Sequence, residues 1–225
     1  LRYAIYDTAQ QILRELGSVV PSGWRLCFVC TASECVLPWE ETVLQAISCG
    51  CDCIQVREKT MSTTKLIEHV NQVIDITSGK AAVIVNDRID VMLATNATGV
   101  HLGLGDMAIH NARTICGDQY VVGATVHSLE EATQAATAGA DYFGVGAMFK
   151  SSTKQSEVKG VGLLNEVHVA IPHIPLLAIG GITPDNCGEL YAACECGVAV
   201  SNAIAHSETP AKTASELLNG VLTDL

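Results

Sequence analysis

The chain reads as a single α/β domain, a closed (β/α)8 TIM barrel with an additional N-terminal helix, and three observations point there. Short β-branched runs alternate along the chain with longer amphipathic stretches, which is the signature of βα units around a parallel sheet. Eight such units fit into about 200 residues, whereas an open doubly wound sheet ends at about five or six strands. Nothing Pro- or Ser-rich divides the 225 residues, and 48% hydrophobic against 16% charged residues suits one compact interior.

Residues 1–24 precede the first strand. They read as a polar, amphipathic helical extension that covers the barrel bottom or supports a homo-oligomer, which leaves 25–225 as the barrel. The strands are expected at 25–31 (RLCFVCT), 51–57 (CDCIQVR), 81–86 (AAVIVN), 98–102 (TGVHL), 120–125 (YVVGAT), 141–146 (DYFGVG), 175–180 (PLLAIG) and 197–201 (GVAVS). Helical spacing recurs at 62–77, where Leu66, Ile67, Val70, Val73 and Ile74 share one face. Similar patterns occupy 129–138, 162–170, 184–194 and 210–222. Gly50, Gly139 and Gly197 sit where a helix ends and the next strand begins, the position at which a left-handed cap turns the chain back.

A formal charge of −11 with no local cluster of Lys and Arg disfavours nucleic acid and anionic membrane surfaces as partners. There is no apolar run of about 20 residues and no cleavable signal pattern, so a cytoplasmic protein acting on small molecules is expected. The ten cysteines then read as reduced thiols. Cys27 and Cys30 lie three apart on a strand, face opposite sides and cannot share a metal. Cys49, Cys51, Cys53, Cys194 and Cys196 read as small core residues.

Barrel chemistry sits at the C-terminal ends of the strands, and those ends are polar here. Gln55, Arg57 and Lys59 close the second strand on one side of it and make a cradle for a diphosphate; a solvated loop explains the two charges as well. Asp87, after the third strand, and Asp106, after the fourth, read either as helix caps or as a pair holding one Mg²⁺. Thr125 and His127 end the fifth strand, as a phosphate donor and an acid/base candidate or as rim residues. Lys150, Ser151, Ser152, Thr153 and Lys154 form a hydroxyl-rich loop after the sixth, suited to clamping a phosphate. Gly180 and Gly181 after the seventh strand, and Ser201 and Asn202 after the eighth, occupy the loops where such barrels hold a phosphate.

The series QVREK, VNDR, HLGLGD, GATVH, GVGAMFKSSTK, GGI and VSNAI, in that order from Arg25 to about Ala205, resembles the thiamin phosphate synthase family. The resemblance implies a transferase of thiamine biosynthesis. It would join 4-amino-2-methyl-5-hydroxymethylpyrimidine diphosphate to hydroxyethylthiazole phosphate with help from Mg²⁺, releasing diphosphate. By matched position, Gln55, Val56, Arg57, Glu58, Lys59, Asn86 and Lys154 would hold the pyrimidine and its diphosphate, and Asp87 and Asp106 the Mg²⁺. Ser151, Ser152, Thr153, Gly181, Ser201 and Asn202 would hold the thiazole phosphate, with Thr125 between the two substrates. Arg57, Lys59 and Lys154 would neutralise the leaving diphosphate. The chain departs from the family pattern at Thr125 (usually Ser), Ser151 (Thr), Lys150 and Ala147 (Pro) and Asn202 (Ser), and its first strand ends Thr31-Ala32 rather than Thr-Asp. Two rivals stand beside this reading. One is the related thiazole tautomerase, which would use a histidine such as His127; the other is a barrel that binds phosphate without turnover.

Overall fold

A computed structural model describes residues 23–150 and 157–220. Most of the expected N-terminal extension, the loop residues Ser151, Ser152, Thr153 and Lys154, and the end of the last expected helix lie outside the described residues.

Eight parallel strands close on themselves in sequence order: β1 (Leu26–Cys30), β2 (Cys53–Val56), β3 (Ala82–Asn86), β4 (Gly99–Leu102), β5 (Val121–Val126), β6 (Tyr142–Gly146), β7 (Leu176–Ile179) and β8 (Gly197–Val200). The register closes with Leu26 opposite Val198 and Phe28 opposite Val200. Each expected strand is found, shifted by no more than two residues at either end. The helices between them are α1 (Trp39–Ser48), α2 (Thr63–Thr77), α3 (Ile89–Leu93), α4 (Ile109–Cys116), α5 (Leu129–Ala138), α6 (Gly160–Ala170), α7 (Cys187–Ala193), α8 (Asn202–Ala205) and α9 (Pro210–Asn219). None of the described helices is long and apolar enough to cross a membrane.

Side chains alternate across each strand, so the apolar residues divide into two bodies. An inner one, with Trp24, Cys27, Val29, Cys53, Ile84 and Tyr142 among its members, fills the barrel. An outer one joins the other face of the strands to the helices, as with Phe28, Ile54, Val83 and Val100 packed against Val43, Val70 and Met92. The alternation settles the CxxC question in physical terms. Cys27 belongs to the inner body and Cys30 to the outer, with the strand between them.

The bottom of the barrel uses one device twice. In Cys49-Gly50-Cys51-Asp52 and again in Ala138-Gly139-Ala140-Asp141, a left-handed Gly (φ 99° and 97°) ends a helix and an Asp follows two residues later. Each Asp then caps the start of the preceding strand: Asp52 accepts from the N–H groups of Arg25 and Leu26 (2.8 and 3.2 Å), and Asp141 from Val122 (2.8 Å). Burial raises the Asp141 carboxyl above the usual range, and Arg113 opposes that rise. The Arg113 guanidinium pairs with Asp141 and donates to the carbonyls of Gly117, Tyr120 and Gly139 at 2.8–3.1 Å. Arg113→Ala leaves that partly buried carboxylate and those carbonyls without their donor, so we expect a loss of about 3 kcal/mol in urea unfolding. Lysine restores little of it, because one ammonium cannot replace the planar fork. An unchanged midpoint for Arg113→Ala would refute this role.

Candidate active site at the mouth of the barrel

Following the inner face upward places the polar residues. Two steps along from Cys53 is Gln55 and two more is Arg57; from Ile84 comes Asn86, from Val121 by way of Gly123 comes Thr125, and from Ala199 comes Ser201. These side chains from four strands meet at one end of the barrel axis. The same alternation sends Val56 into the outer body. It also sends Glu58 outward, where its Oε1 accepts from the Ala32 N–H (2.6 Å) and stands 3.8 Å from Nε2 of the buried His69 on α2. Of the run Gln55 to Lys59, then, the side chains of Val56 and Glu58 serve the scaffold. Glu58 braces the loop after β1.

Asp87 takes a left-handed backbone conformation (φ 62°) with the Arg88 N–H bonded back to the Asn86 carbonyl at 2.7 Å, a tight three-residue turn. Its own N–H bonds to the His101 carbonyl on β4 (2.9 Å). Such a conformation is uncommon outside glycine and least unfavourable for Asn and Asp. It brings the Asp87 carboxyl within hydrogen-bonding reach of Asp106. Asp106 is itself fixed by the Gly103 N–H, which donates to its Oδ2 at 2.7 Å. Burial first, then the bond and charge of Asp106, push the Asp87 acid up to about 6, while Lys59 and then Arg57 pull it down. Three charged groups from two neighbouring strand ends thus act on Asp87.

Two carboxylates this close repel as anions, and a divalent cation between them removes the repulsion. Among the described residues no group of three or more His, Cys, Asp or Glu side chains is arranged to bind a metal. An all-oxygen pair leaves the other positions to water and phosphate oxygens, a donor set that suits Mg²⁺ and not a structural zinc site. The residues present fit the ion.

Arg57 is held at the backbone, its N–H on the Cys30 carbonyl (2.8 Å) and its carbonyl under the Thr31 hydroxyl (2.8 Å). Neither Arg57 nor Lys59 forms an ion pair with a carboxylate among the described residues. Arg88, Arg113, Lys159 and Lys212 by contrast are paired with Asp90, Asp141, Glu157 and Glu216. Arg25, Lys65, Lys80 and Lys150 also lack such a partner among the described residues, so it is the position of Arg57 and Lys59 at the barrel mouth, beside Asp87 and Asp106, that suits them to an anion in a chain of formal charge −11.

Sequence reasoning missed the roles of two residues, His101 and Tyr142. His101 is buried on β4, its Nδ1 2.9 Å from the Tyr142 hydroxyl and its Nε2 2.8 Å from the Thr125 hydroxyl. Burial lowers its pKa to about 4 against the charge of Asp106, so the ring is neutral. The glycines of β5 and β6 make the room: a Cβ on Gly123 would stand 2.2 Å from the Tyr142 ring, and one on Gly144 3.0 Å from His101. Inner-face positions of glycine facing a His and a Tyr on neighbouring strands were the available signal. His127, the acid/base candidate, has its Nδ1 3.4 Å from Glu131 Oε2, an oxygen that also takes the His127 N–H. It is built into the N-terminal cap of α5, where the Ser128 hydroxyl accepts from the Glu131 N–H.

At the opposite side of the mouth, Gly181 (φ 67°) brings β7 against the loop after β6 so closely that a Cβ would lie 2.4 Å from the Lys150 carbonyl oxygen. Ser201 donates its hydroxyl proton to the Val29 carbonyl (2.8 Å), which ties β8 to β1, and Asn202 opens α8.

Known proteins place this arrangement. The family model described as thiamine monophosphate synthase matches residues 26–204. A thiamine-phosphate synthase of Methanosarcina mazei is 44% identical over 147 residues, 64% of this chain and 61% of that protein. One of Prochlorococcus marinus is 34% identical over 221 residues, 97% of this chain and 64% of that protein. Both relatives extend well beyond the matched length. The solved thiamine phosphate pyrophosphorylase of Pyrococcus furiosus superposes with a TM-score of 0.81 at 34% identity, covering 90% of this chain and 97% of that one. With the family model spanning all eight strands and a barrel of the same shape in a clear relative, this chain belongs to the thiamine monophosphate synthase family.

Proposed function

We propose that this chain is a thiamine-phosphate synthase, with residues 25–225 as the catalytic barrel and 1–24 as an extension of it. It joins the pyrimidine diphosphate to hydroxyethylthiazole phosphate. The observation that carries the reading is the pair of cations Arg57 and Lys59, without an ion-paired carboxylate among the described residues, beside the Asp87–Asp106 pair at the mouth.

In the reaction the methylene C–O bond of the pyrimidine substrate breaks with its electron pair passing to the departing diphosphate, and the thiazole nitrogen lone pair forms the new C–N bond. Arg57 and Lys59, joined from the loop by Lys154, hold the diphosphate and offset its growing charge. Asn86 and Gln55 orient the pyrimidine, whose amino group spreads the positive charge left on the methylene carbon. Asp87 and Asp106 would hold Mg²⁺, which when bound would supply further positive charge beside the departing diphosphate. Thr125 lies between the substrates. Gly181, Ser201, Asn202 and the Ser151, Ser152 and Thr153 hydroxyls take the thiazole phosphate. The acceleration comes from positioning and fixed charge, so no protein nucleophile is needed. A thiazole tautomerase has no evident use for the paired Asp87 and Asp106 or for the diphosphate cradle beside them, and their presence favours the synthase. The cysteines stand as free thiols, which suits a reducing cytoplasm.

The purified protein is mixed with both substrates and Mg²⁺, each omitted in turn, and thiamine phosphate and diphosphate are quantified. Both products in equal amounts from the complete mixture alone are expected. No product from the complete mixture overturns the synthase in favour of a barrel that binds without turnover.

A further inference from the structure

The polar chain inside the barrel has a direction, set by what each member can donate. The Tyr142 phenol is buried, with Trp24 edge-on to its ring at 5.3 Å and the inner cysteines around it, and His101 Nδ1 at 2.9 Å is the acceptor within reach of its proton. If Nδ1 carried the ring proton, the Tyr142 oxygen would accept it and the phenol's own proton would be buried without an acceptor. The consistent arrangement runs the other way. Tyr142 O–H donates to Nδ1, the neutral ring carries its proton on Nε2, and Nε2–H donates to Thr125 Oγ1 at 2.8 Å. The Thr125 hydroxyl proton is then left for something outside this chain of bonds. Thr125 stands on the inner face at the end of β5, beside the mouth.

We propose that His101, locked in its Nε2–H form by Tyr142, is a positioning residue that makes the Thr125 hydroxyl a committed donor toward the substrate anion. This deepens the synthase reading and rests on it for the identity of that anion. An anion accepts hydrogen bonds and cannot give them, so a hydroxyl free to rotate serves it only part of the time. The Tyr142–His101 pair removes that freedom without placing a charge in the barrel. It also accounts for a buried tyrosine and histidine beside a largely apolar barrel interior, and for the glycines at 123 and 144 that make space for them. The hydroxyl is what matters at position 125, so a threonine serves where the family usually has serine.

Two measurements test this. Protein labelled with ¹⁵N-histidine, its His101 signals assigned by their loss in His101→Gln, is read by NMR without substrates. Protonated Nε2 and bare Nδ1 are expected, shifting toward a tautomer mixture in Tyr142→Phe. A protonated Nδ1 in the wild type overturns the proposal whatever the protein catalyses. In steady-state kinetics, His101→Leu and Thr125→Val are each expected to lower kcat by about 10–100-fold, with the double variant no worse than the poorer single. His101→Gln, which keeps an amide N–H toward Thr125, is expected to recover most of the loss. Losses that multiply, or a glutamine no better than leucine in a protein of equal Tm, show that His101 does not act through Thr125. If the wild type forms no thiamine phosphate, the synthase reading falls while the tautomer measurement still stands on its own.

Discussion

Asp87→Asn should cost at least about 100-fold in turnover and yet make the metal-free protein more stable at neutral pH. Asn tolerates the left-handed backbone at φ 62°, so the turn and the neighbouring strand survive, which is not true of Ala. What disappears is an anion whose acid is pushed up to about 6 by burial and by Asp106. The sign follows from proton counts. The native state binds this proton more tightly than an unfolded chain with its ordinary value of 3.8, so the group's contribution to stability falls as pH rises from 3.8 through 6. The full shift corresponds to roughly 3 kcal/mol; for a half-buried carboxyl screened by water about 1 kcal/mol is a sounder figure. Metal-free Asp87→Asn should therefore exceed the wild type by about 1 kcal/mol at pH 7.5, and the difference should vanish near the pH of an ordinary carboxylate. Mg²⁺ should reverse the order at pH 7.5, stabilising the wild type by about 2–3 kcal/mol at 100 times its Kd and the variant hardly at all. Thermal melts at both pH values, with and without Mg²⁺, check every part. Equal Mg²⁺ stabilisation of the two proteins would remove Asp87 from the metal site.

The legibility of this protein followed the periodicity of its side chains. The strands are readable because short apolar runs alternate with longer helical stretches, and the two-residue period then fixes which side chains share the barrel interior. That period separates Cys27 from Cys30 and carries Gln55, Asn86 and Thr125 to one mouth. Applied without exception, it also assigns Glu58 to the outer layer, where the resemblance by motif had treated Gln55 to Lys59 as one contiguous substrate contact. The short helices α3 and α8, of five and four residues, carry too few turns for a helical period to show in sequence. His101 and Tyr142 escaped for a different reason. Their partnership joins β4 to β6 through a space that glycines on β5 and β6 leave open, so the signal lies in inner-face glycines on strands other than the one that carries each ring, and it shows only when the strands are read together. The left-handed turn at Asp87 likewise depends on a bond to β4 that becomes visible only when the strands are assembled.

The second large effect concerns the cations, and it is tied to the first. Arg57→Ala and Lys59→Ala should each lower kcat by about 100–1,000-fold, and Arg57→Lys should recover only part, since a point charge replaces a planar fork on phosphate oxygens. Stability should change little, because neither side chain pairs with a carboxylate among the described residues and the Arg57 backbone bonds remain. These losses alone would fit any phosphate site. What makes them specific is that Lys59 and Arg57 also hold the Asp87 acid down, Lys59 the more strongly. Removing either one should raise that acid further. Mg²⁺ binds the deprotonated pair, so the pH at which Mg²⁺ begins to stabilise the protein should move upward in both variants, and further in Lys59→Ala than in Arg57→Ala. Melts of the two variants over pH 5–8 with Mg²⁺ read this shift without any substrate. A loss of turnover with the pH dependence of Mg²⁺ stabilisation unmoved would mean that the cations act on the diphosphate alone. An upward shift in the stated order would mean that cradle and metal pair form one electrostatic unit, in which the residues that hold the leaving group also keep the metal ligand ionised at the pH where the enzyme works.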